Sequence, residues 1–294
     1  MLAFLQIMLL LCNMKVPKMP LTPCVMGIIN VTPDSFYEPS RVQQETALRR
    51  RVRQIVDEGG AIVDVGACST RPGAEPVAAD QEMERLRWAL PVVTDEIGRM
   101  ACEAKPLVSV DTYRADVAER CVTELGADII NDISGGVLDA GMLDVVARTG
   151  AAYVLTHSGG TTVNMSQPES GYPEGVVREV LRHFEQQLEQ LERRDVGPDR
   201  VMLDPGFGFG KTLEQNYELL RGLEQLRRAL PEYRMLVGVS RKRMVWQLLG
   251  TDAQHALNGT TVLHTYALLH GASILRVHDV KEAAEAIKIC GTLV

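Results

Sequence analysis

The stretch Leu203-Asp204-Pro205-Gly206-Phe207-Gly208-Phe209-Gly210-Lys211 shows the unit from which the chain is built. A short apolar run comes before it and a helical pattern begins near Leu213, which predicts a strand-to-helix loop with an acidic residue at the strand's end. Glycine at every second position allows a positive φ or a close approach of the backbone to a ligand. The spacing fits neither a Walker phosphate loop nor a dinucleotide fingerprint. On this stretch alone, two interpretations of Asp204 stay open, a helix cap and a ligand site.

The same unit recurs along the chain, as a short apolar run, a polar residue and then a helical pattern. Eight runs are found, at 25–29, 61–65, 107–110, 128–130, 152–155, 201–203, 235–239 and 273–277. They are rich in Val, Ile and Leu and too short for helices, as expected of strands buried on both faces. Helical patterns lie between them, at 43–58, 80–100, 114–125, 174–194 and 213–230. Such a series of strand–helix units predicts an α/β fold, a (β/α)8 TIM barrel.

The chain is predicted to form one catalytic domain at 23–294, because no linker or composition shift divides it. A doubly wound open sheet is the competing fold, but it usually has fewer strands and a glycine fingerprint after its first strand. Residues 1–22 are assigned to an N-terminal extension of unknown role, whose apolar first twelve residues are too few to span a bilayer. Removing residues 1–18 is expected to leave activity and solubility unchanged.

Composition and charge limit the function classes. The 46% hydrophobic content is that of a soluble globular protein, and no membrane partner is expected. A net charge of −7 offers no basic excess to neutralise phosphates, which argues against nucleic acid as a partner. None of the six cysteines forms a C-x-x-C pair, so zinc and redox motifs are unsupported. We therefore predict free thiols and a cytoplasmic location.

Polar residues stand at the end of every predicted strand. In strand order they are Asn30, Asp64, Asp111, Asn131 with Asp132, His157, Asp204, Ser240 with Lys242, and Arg276 with His278. The active site of a TIM barrel lies at this end of its strands. Each residue alone could cap a helix or form a turn, as Asp64 before Gly66 and Asp111 before Thr112 illustrate. The whole set is hard to explain by capping and predicts a site.

The polar set divides into two chemical groups. One group offers the acceptors and donors that hold the edge of a polar heterocycle: Asp111, Asn131, Asp204 and Lys242. The other suits a phosphate or diphosphate, because arginine can fork onto two oxygens: Asn30, Arg71, Arg276 and His278. The loops at 30–37 and 69–73 are either ordinary turns or parts of a closing lid.

Seven stretches of the chain are similar to the dihydropteroate synthase family and follow the family's order. They are MGIINVTPDSF (26–36), STRPGA (69–74), SVDT (109–112), INDISGG (130–136), DPGFGFGK (204–211), GVSRKR (238–243) and RVHDV (276–280). They run from about residue 25 to the C-terminal part of the chain, and none rests on one glycine pattern alone. The chain is identified as a member of this family by these motifs.

The resemblance implies an enzyme of folate biosynthesis that uses Mg²⁺. It would condense 4-aminobenzoate with 6-hydroxymethyl-7,8-dihydropterin diphosphate to give 7,8-dihydropteroate and diphosphate. The implied catalytic residues are Asp111, Asn131, Asp204 and Lys242 at the pterin and Arg71 at the diphosphate. The other implied diphosphate ligands are Asn30, which also lies near the metal, Arg276 and His278. Thr70, Pro72, Phe209 and Ser240 would border the aminobenzoate, and Gly238 is counted among the substrate-binding residues.

The resemblance also implies a homodimer, with the apolar late helices at 244–249 and 256–271 as the candidate surface. Three positions depart from the family's usual sequence: 37–40 replace an Asp-Gly-Gly run, Cys68 replaces a Glu, and 155–160 lack Met on either side of His157. A pterin-binding methyltransferase-type domain is one alternative, but it would not need 69–72 or the pair Arg276 and His278. A non-catalytic paralogue and a phosphate-binding sugar isomerase barrel are the others.

Overall fold

Eight parallel strands close into a barrel. The computed structural model describes residues 23–31, 41–68, 77–159 and 171–293, without the side chains of 41–43. The strands are β1 (Cys24–Asn30), β2 (Gly60–Gly66), β3 (Leu107–Asp111), β4 (Ile129–Asp132), β5 (Ala152–Thr156), β6 (Val201–Asp204), β7 (Arg234–Val237) and β8 (Ala272–Val277). Each strand pairs with its neighbour in chain order, and β8 pairs with β1. The predicted TIM barrel is confirmed.

Helices connect the strands and cover the outside of the barrel. They are α1 (Arg41–Asp57), α2 (Ala79–Arg99), α3 (Ala115–Leu125), α4 (Met142–Thr149), α5 (Val176–Glu192), α6 (Leu213–Arg221), α7 (Leu223–Ala229), α8 (Arg243–Leu248), α9 (Leu257–Leu269) and α10 (Val280–Cys290). The helices predicted at 43–58, 80–100, 114–125 and 174–194 are confirmed to within two residues at each end.

The single helix predicted at 213–230 is wrong, because the chain forms two helices, α6 and α7, that meet at Gly222. Glycine is a weak helix former. A Cβ atom at Gly222 would also lie 2.4 Å from Cγ2 of Val177 in α5. The break therefore lies where two helices approach so closely that only glycine fits.

Alternation along the strands separates two apolar cores. Side chains of one parity point into the barrel and form a small inner cluster of Cys24, Met26, Ile62, Ile129, Ala152, Val154, Met202, Leu236 and Ile274. Side chains of the other parity, such as Ile29 and Val65, pack in a larger cluster against the helices. Both faces of each strand are thus buried, which explains the continuous apolar runs in the sequence.

The five cysteines within the described residues are free thiols: Cys24, Cys68, Cys102, Cys121 and Cys290. Across the described ranges, no helix is both long enough and apolar enough to cross a membrane. Residues 1–22 lie outside these ranges, so their assignment to an extension stays a prediction.

Candidate active site

The site lies directly above the inner apolar cluster, two residues further along the strands. Moving two residues along a strand keeps the side chain on the same face. From the inner cluster this step leads to Asp64, Asn131, Thr156, Asp204, Gly238 and Arg276. In the strand registers, Asp111 lies opposite Asn131 and Asn30 lies opposite Gly66. Polar strand ends from both predicted groups therefore face one mouth at the C-terminal end of the barrel.

Arg276 joins three strands of the site. Its guanidinium donates from Nε to Oδ2 of Asp64 at 2.8 Å and from Nη2 to Oδ2 of Asp111 at 2.6 Å. The side-chain amide of Asn131 donates to the same Asp64 oxygen at 3.2 Å. Asp64 and Asn131 are buried, at 0% and 2% exposure. Asp64 is thus an acceptor at the centre of the network, and the turn or cap interpretation of this residue is wrong.

Asp111 has neighbours of both charge signs, the Arg276 guanidinium and the Asp64 carboxylate. Its pKa is raised to about 7, first by burial and also by the carboxylate of Asp64, although the Arg276 guanidinium lowers it. It does not cap helix α3, since the first helical N–H, that of Ala115, donates to Asp139 at 2.8 Å. This carboxyl group is therefore part of the mouth and titrates near neutral pH.

Asp204 lies at the end of β6, across the mouth. Its Oδ1 accepts the N–H of Gly206 at 2.8 Å, and burial raises the pKa of its carboxyl although Lys242 lowers it. It does not cap helix α6, because Thr212 caps that helix in a capping box with Gln215. The cap interpretation of Asp204 is therefore wrong, and its role as a ligand stays a prediction.

The loop after β6 depends on its glycines. Gly206, Gly208 and Gly210 have φ angles of 72°, 84° and 62°, which side chains rarely allow. A Cβ atom at Gly206 would lie 1.8 Å from the carbonyl oxygen of His157. The buried Nζ of Lys211 donates to the carbonyl oxygens of Gly206 at 2.8 Å and Phe209 at 3.1 Å. Lys211 therefore stabilises the tight turn that brings Phe209 to the mouth.

Lys242 lies between this loop and the carboxylates. Its Nζ donates to the carbonyl oxygen of Phe207 at 2.6 Å and lies 4.4 Å from the centre of the Phe209 ring. Burial lowers its pKa to about 8, although the Asp204 carboxylate raises it. A Cβ atom at Gly238 would lie 3.8 Å from Nζ of Lys242 and 4.0 Å from Oδ2 of Asp204. A side chain at Gly238 would fill the space between these groups, so glycine keeps it open.

Ser240 and His278 meet at the rim between β7 and β8. The Ser240 hydroxyl accepts the backbone N–H of His278 at 3.2 Å. From α1, Nη2 of Arg51 donates to the carbonyl oxygen of His278 at 2.7 Å. Arg241 pairs with Asp279 at 2.8 Å. Contacts from two sides thus fix the backbone that carries the His278 ring.

Asn30 has the chemistry of a magnesium ligand. Its Oδ1 and the Oδ2 of Asp111 each lie 3.5 Å from the point that a Cβ atom at Gly66 would occupy. Within the described ranges, no group of three His, Cys, Asp or Glu side chains could hold a metal. Mg²⁺ often takes one or two protein oxygens and completes its shell with substrate phosphates and water. The residues fit an ion that binds together with a diphosphate.

Three predicted site residues, Thr70, Arg71 and Pro72, lie outside the described residues, as do residues 32–40 of the first loop. Their roles stay predictions. The neighbouring Cys68 and Val77 are described and mark the two ends of the 69–76 segment.

Two polar strand ends belong to the framework instead. Asp132 accepts the N–H of Ser134 at 2.8 Å, the N–H of Gly136 at 2.7 Å and the hydroxyl of Tyr153 at 2.8 Å. His157 is buried, and burial lowers its pKa to about 2. Strand parity distinguishes Asp132 from the adjacent Asn131. The same parity places Asp64, a predicted strand-end residue that neither chemical group included, at the mouth.

The sequence of the whole barrel matches known proteins. Residues 26–278 match the sequence model of the pterin binding enzyme family. The dihydropteroate synthase of Escherichia coli is 38% identical over 268 residues, which cover 91% of this chain and 90% of that protein. The chain belongs to the dihydropteroate synthase family.

Two further comparisons extend the match. The mitochondrial folate synthesis bifunctional protein of Arabidopsis thaliana is 36% identical over 277 residues, which are 92% of this chain but 49% of that protein. The chain thus spans about half the length of this plant relative. The dihydropteroate synthase of Coxiella burnetii, solved in complex with pteroic acid, is 33% identical, with a TM-score of 0.78 and 94% of each chain covered. The likeness to dihydropteroate synthases includes both sequence and fold.

Proposed function

We propose that this protein condenses 4-aminobenzoate with 6-hydroxymethyl-7,8-dihydropterin diphosphate, giving 7,8-dihydropteroate and diphosphate. The observation that carries the proposal is the network in which Arg276 bridges Asp64 and Asp111 beside Asn131. Asp204, at the end of β6, and Lys242, after β7, face the same mouth. Carboxylates, an amide and cations are thereby gathered in one small, largely buried space. The family membership of the chain supports the same reaction.

The pterin would bind against the buried carboxylates. Its ring has amidine-like and amide edges, whose N–H groups need acceptors. Asp111, Asn131 and Asp204 supply acceptors, and Lys242 can donate to an acceptor of the ring. A buried polar group that is left unpaired costs about 1–3 kcal/mol. A ligand without these edges would therefore bind weakly.

The chemistry separates charge at the pterin methylene. Diphosphate leaves with the electron pair of the C–O bond, and the methylene is left as a cation delocalised into the pterin ring. The carboxylates beside the ring stabilise this cation, whereas Arg276 and His278 stabilise the departing diphosphate. The amine of 4-aminobenzoate then attacks the methylene carbon and loses a proton. The side chains position the substrates and stabilise the separated charges, and none forms a covalent bond with a substrate.

Asn30 would hold Mg²⁺ together with oxygens of the diphosphate, and the ion would neutralise charge on the leaving group. The support is the half-buried side chain of Asn30, whose Oδ1 lies near Asp111 across Gly66. Chelation of the metal should therefore abolish turnover and weaken binding of pterin diphosphate. Binding of a pterin without phosphate should be unaffected by the chelator.

A second copy of the chain is the proposed partner of helices α8 and α9. Leu248, Leu249 and Val262 are 58%, 55% and 59% exposed, and Leu269 is 45% exposed. Val262 and Leu269 are separated by two helical turns and share one face of α9. An exposed apolar patch of this kind is typical of an interface. The resemblance to a dimeric family favours a homodimer over other partners.

The test is a synthesis assay with purified protein, pterin diphosphate, labelled 4-aminobenzoate and Mg²⁺, scored for labelled dihydropteroate. Asp204→Asn is expected to lower kcat/KM about 100-fold, because an amide donor replaces an acceptor of the pterin. Asp116→Asn, an exposed position on α3, is the matched control and should keep wild-type activity.

Absence of labelled product from the wild-type protein would contradict the proposed reaction. Methyl transfer from a methylated folate to a corrinoid protein would point to the methyltransferase alternative. Wild-type activity in Asp204→Asn would show that Asp204 serves only the loop through Gly206.

A further inference from the structure

Asn216 is a buried amide on α6 that holds the loop after β6. It is the fourth residue of this helix and is 3% exposed. Its Oδ1 accepts the backbone N–H of Gly208 at 2.7 Å. Its Nδ2 donates to the carbonyl oxygens of Lys211 at 3.1 Å and Thr212 at 2.7 Å. The amide thus uses its acceptor and its donor group on the loop and on the junction between the loop and α6.

The peptide group between Phe207 and Gly208 lies between Asn216 and Lys242. Its N–H, that of Gly208, donates to Asn216, and its carbonyl oxygen, that of Phe207, accepts from Nζ of Lys242 at 2.6 Å. A trans peptide group is planar, with the C=O and N–H bonds pointing in opposite directions. The orientation that gives the N–H to Asn216 is therefore the one that turns the carbonyl oxygen toward Lys242.

The backbone alone does not fix this orientation. Gly208 has a φ of 84°, and glycine adopts positive and negative φ with similar ease, so this peptide group could rotate. The next carbonyl along the loop has a different partner, since that of Phe209 accepts from Nζ of Lys211 at 3.1 Å. At Gly208 the hydrogen bond to Asn216 is the contact that selects one of the two orientations.

Lys242 needs this carbonyl oxygen because its ammonium is surrounded by charged groups in a buried space. Burial lowers its pKa to about 8, the carboxylates of Asp204 and Asp111 raise it, and the Arg276 guanidinium lowers it further. A buried ammonium is costly unless its protons have acceptors. Rotation of the peptide group would turn an N–H toward the ammonium in place of the Phe207 oxygen and so destabilise the charged form.

We infer that Asn216 is a positioning residue for Lys242, because it holds the Phe207–Gly208 peptide group with its carbonyl oxygen toward the ammonium. The inference deepens the proposed function and rests on it for the consequence in catalysis, since Lys242 is there the donor to the pterin. Asn216 acts through one peptide group of the backbone, which the flexible glycine would otherwise leave free to turn.

Asn216→Leu removes the acceptor with little change in side-chain volume. Leucine is the better helix former, so α6 loses no intrinsic helix propensity. The titration of Lys242 should move to lower pH than in the wild type, because its ammonium loses an oxygen partner. The dissociation constant for 6-hydroxymethylpterin, measured by calorimetry, should rise about tenfold. Asn216→Met, which also lacks an oxygen acceptor, replaces this variant if the leucine protein does not fold.

Asn216→Asp separates positioning from stability. It keeps an oxygen for the N–H of Gly208 but places another oxygen against the carbonyl oxygens of Lys211 and Thr212. It should therefore melt at a lower temperature than the wild type. The titration of Lys242 should not move to lower pH, and pterin affinity should stay within about threefold of the wild type.

Thr212→Ala is the matched control for a weakened α6. It removes the side chain that caps this helix but keeps the backbone carbonyl that Asn216 contacts. Loss of the cap should lower the melting temperature. Neither the titration of Lys242 nor the dissociation constant for the pterin should change.

The titration can be followed without turnover, by NMR of protein labelled with carbon-13 at the lysine Cε atoms, with the Lys242 signal assigned through Lys242→Arg. The same titration midpoint and pterin affinity in wild type and Asn216→Leu would overturn the inference. Equal shifts to lower pH in Asn216→Leu and Thr212→Ala would trace the effect to helix stability and overturn it as well. A wild-type protein that forms no dihydropteroate would overturn the proposed function instead, and the NMR titration would still decide the role of Asn216.

Discussion

Asp64 determines how the charge of Arg276 is divided between the carboxylates of the site. It is fully buried, and it shares the Arg276 guanidinium with Asp111, whose side chain is 16% exposed. A diphosphate that binds Arg276 must therefore share the guanidinium with both carboxylates or displace one of them. Asp111 is the more accessible of the two, so we expect it to turn toward the pterin while Asp64 keeps Arg276 in place.

Asp64→Asn should affect substrate binding as well as stability. Loss of one partner of a buried ion pair is expected to destabilise the fold by about 3 kcal/mol and to weaken pterin diphosphate binding at least about tenfold. Asp132→Asn is the matched control, because Asp132 is equally buried but contacts the loop after β4 and the Tyr153 hydroxyl instead of Arg276. It should lower the melting temperature without changing the dissociation constant measured by calorimetry. Equal dissociation constants in the wild type and Asp64→Asn would limit Asp64 to folding.

Asp111 and Lys242 predict a narrow pH optimum. Ionised Asp111 accepts hydrogen bonds on both oxygens, whereas protonation turns one oxygen into a donor, so binding should fall as pH decreases through its pKa of about 7. Lys242 loses its proton as pH rises through about 8. The pH profile of kcat/KM should therefore be bell-shaped. Asp111→Asn should have a lower kcat/KM and a profile without the acid limb. Asp116→Asn should keep both limbs. A profile that is flat between about pH 6 and about pH 9 would contradict this assignment.

Among the elements, the loop after β6 should tolerate substitution least. Gly206→Ala combines a φ of 72° with a Cβ atom 1.8 Å from the His157 carbonyl oxygen. It is expected to cost at least about 3 kcal/mol and to abolish pterin binding. Gly250→Ala has a similar φ of 63° but open space around its Cβ atom, so about 1–2 kcal/mol is expected. Denaturant unfolding compares the two, and equal losses of stability would show that backbone conformation alone matters.

The existence of the elements was predictable because apolar runs and helical periods are local signals. Their ends were less so, since the runs stop before a polar residue whereas the ladders include Asp111, Asp132 and Asp204. The break at Gly222 was not predictable, because its cause is a contact with Val177 on another helix.

For the molecule as a whole, sequence motifs located the site but did not supply its contacts. Asp64 resembled a turn residue because its partner, Arg276, lies on the last strand of the barrel. The pairing of Glu82 with Arg114 likewise depends on the packing of α2 beside α3. Such pairs between distant parts of the chain leave no periodic signal in the sequence, so they are found only in the folded structure.

The homodimer is tested by mass and by a charge in the patch. We expect light scattering at micromolar concentration to give the mass of two chains. Val262→Glu places a charge in the exposed face of α9 and should yield a folded monomer, because burying an unpaired charge is unfavourable. Ile289→Glu, at an equally exposed position on α10, is the control and should keep the wild-type mass. A monomeric wild-type protein would end the dimer proposal.

Closure of the barrel by its last strand has a consequence for the newly made chain. Arg276 pairs with Met26 of the first strand, so its bridge between Asp64 and Asp111 forms only when β8 joins β1. During translation, at about 5–20 residues per second, the other seven strands emerge before β8. We expect that a growing chain cannot bind pterin diphosphate until β8 has been made and has paired with β1. Substrate can therefore raise the melting temperature of closed barrels by mass action, but it cannot assist the folding of the first seven strands before β8 joins them.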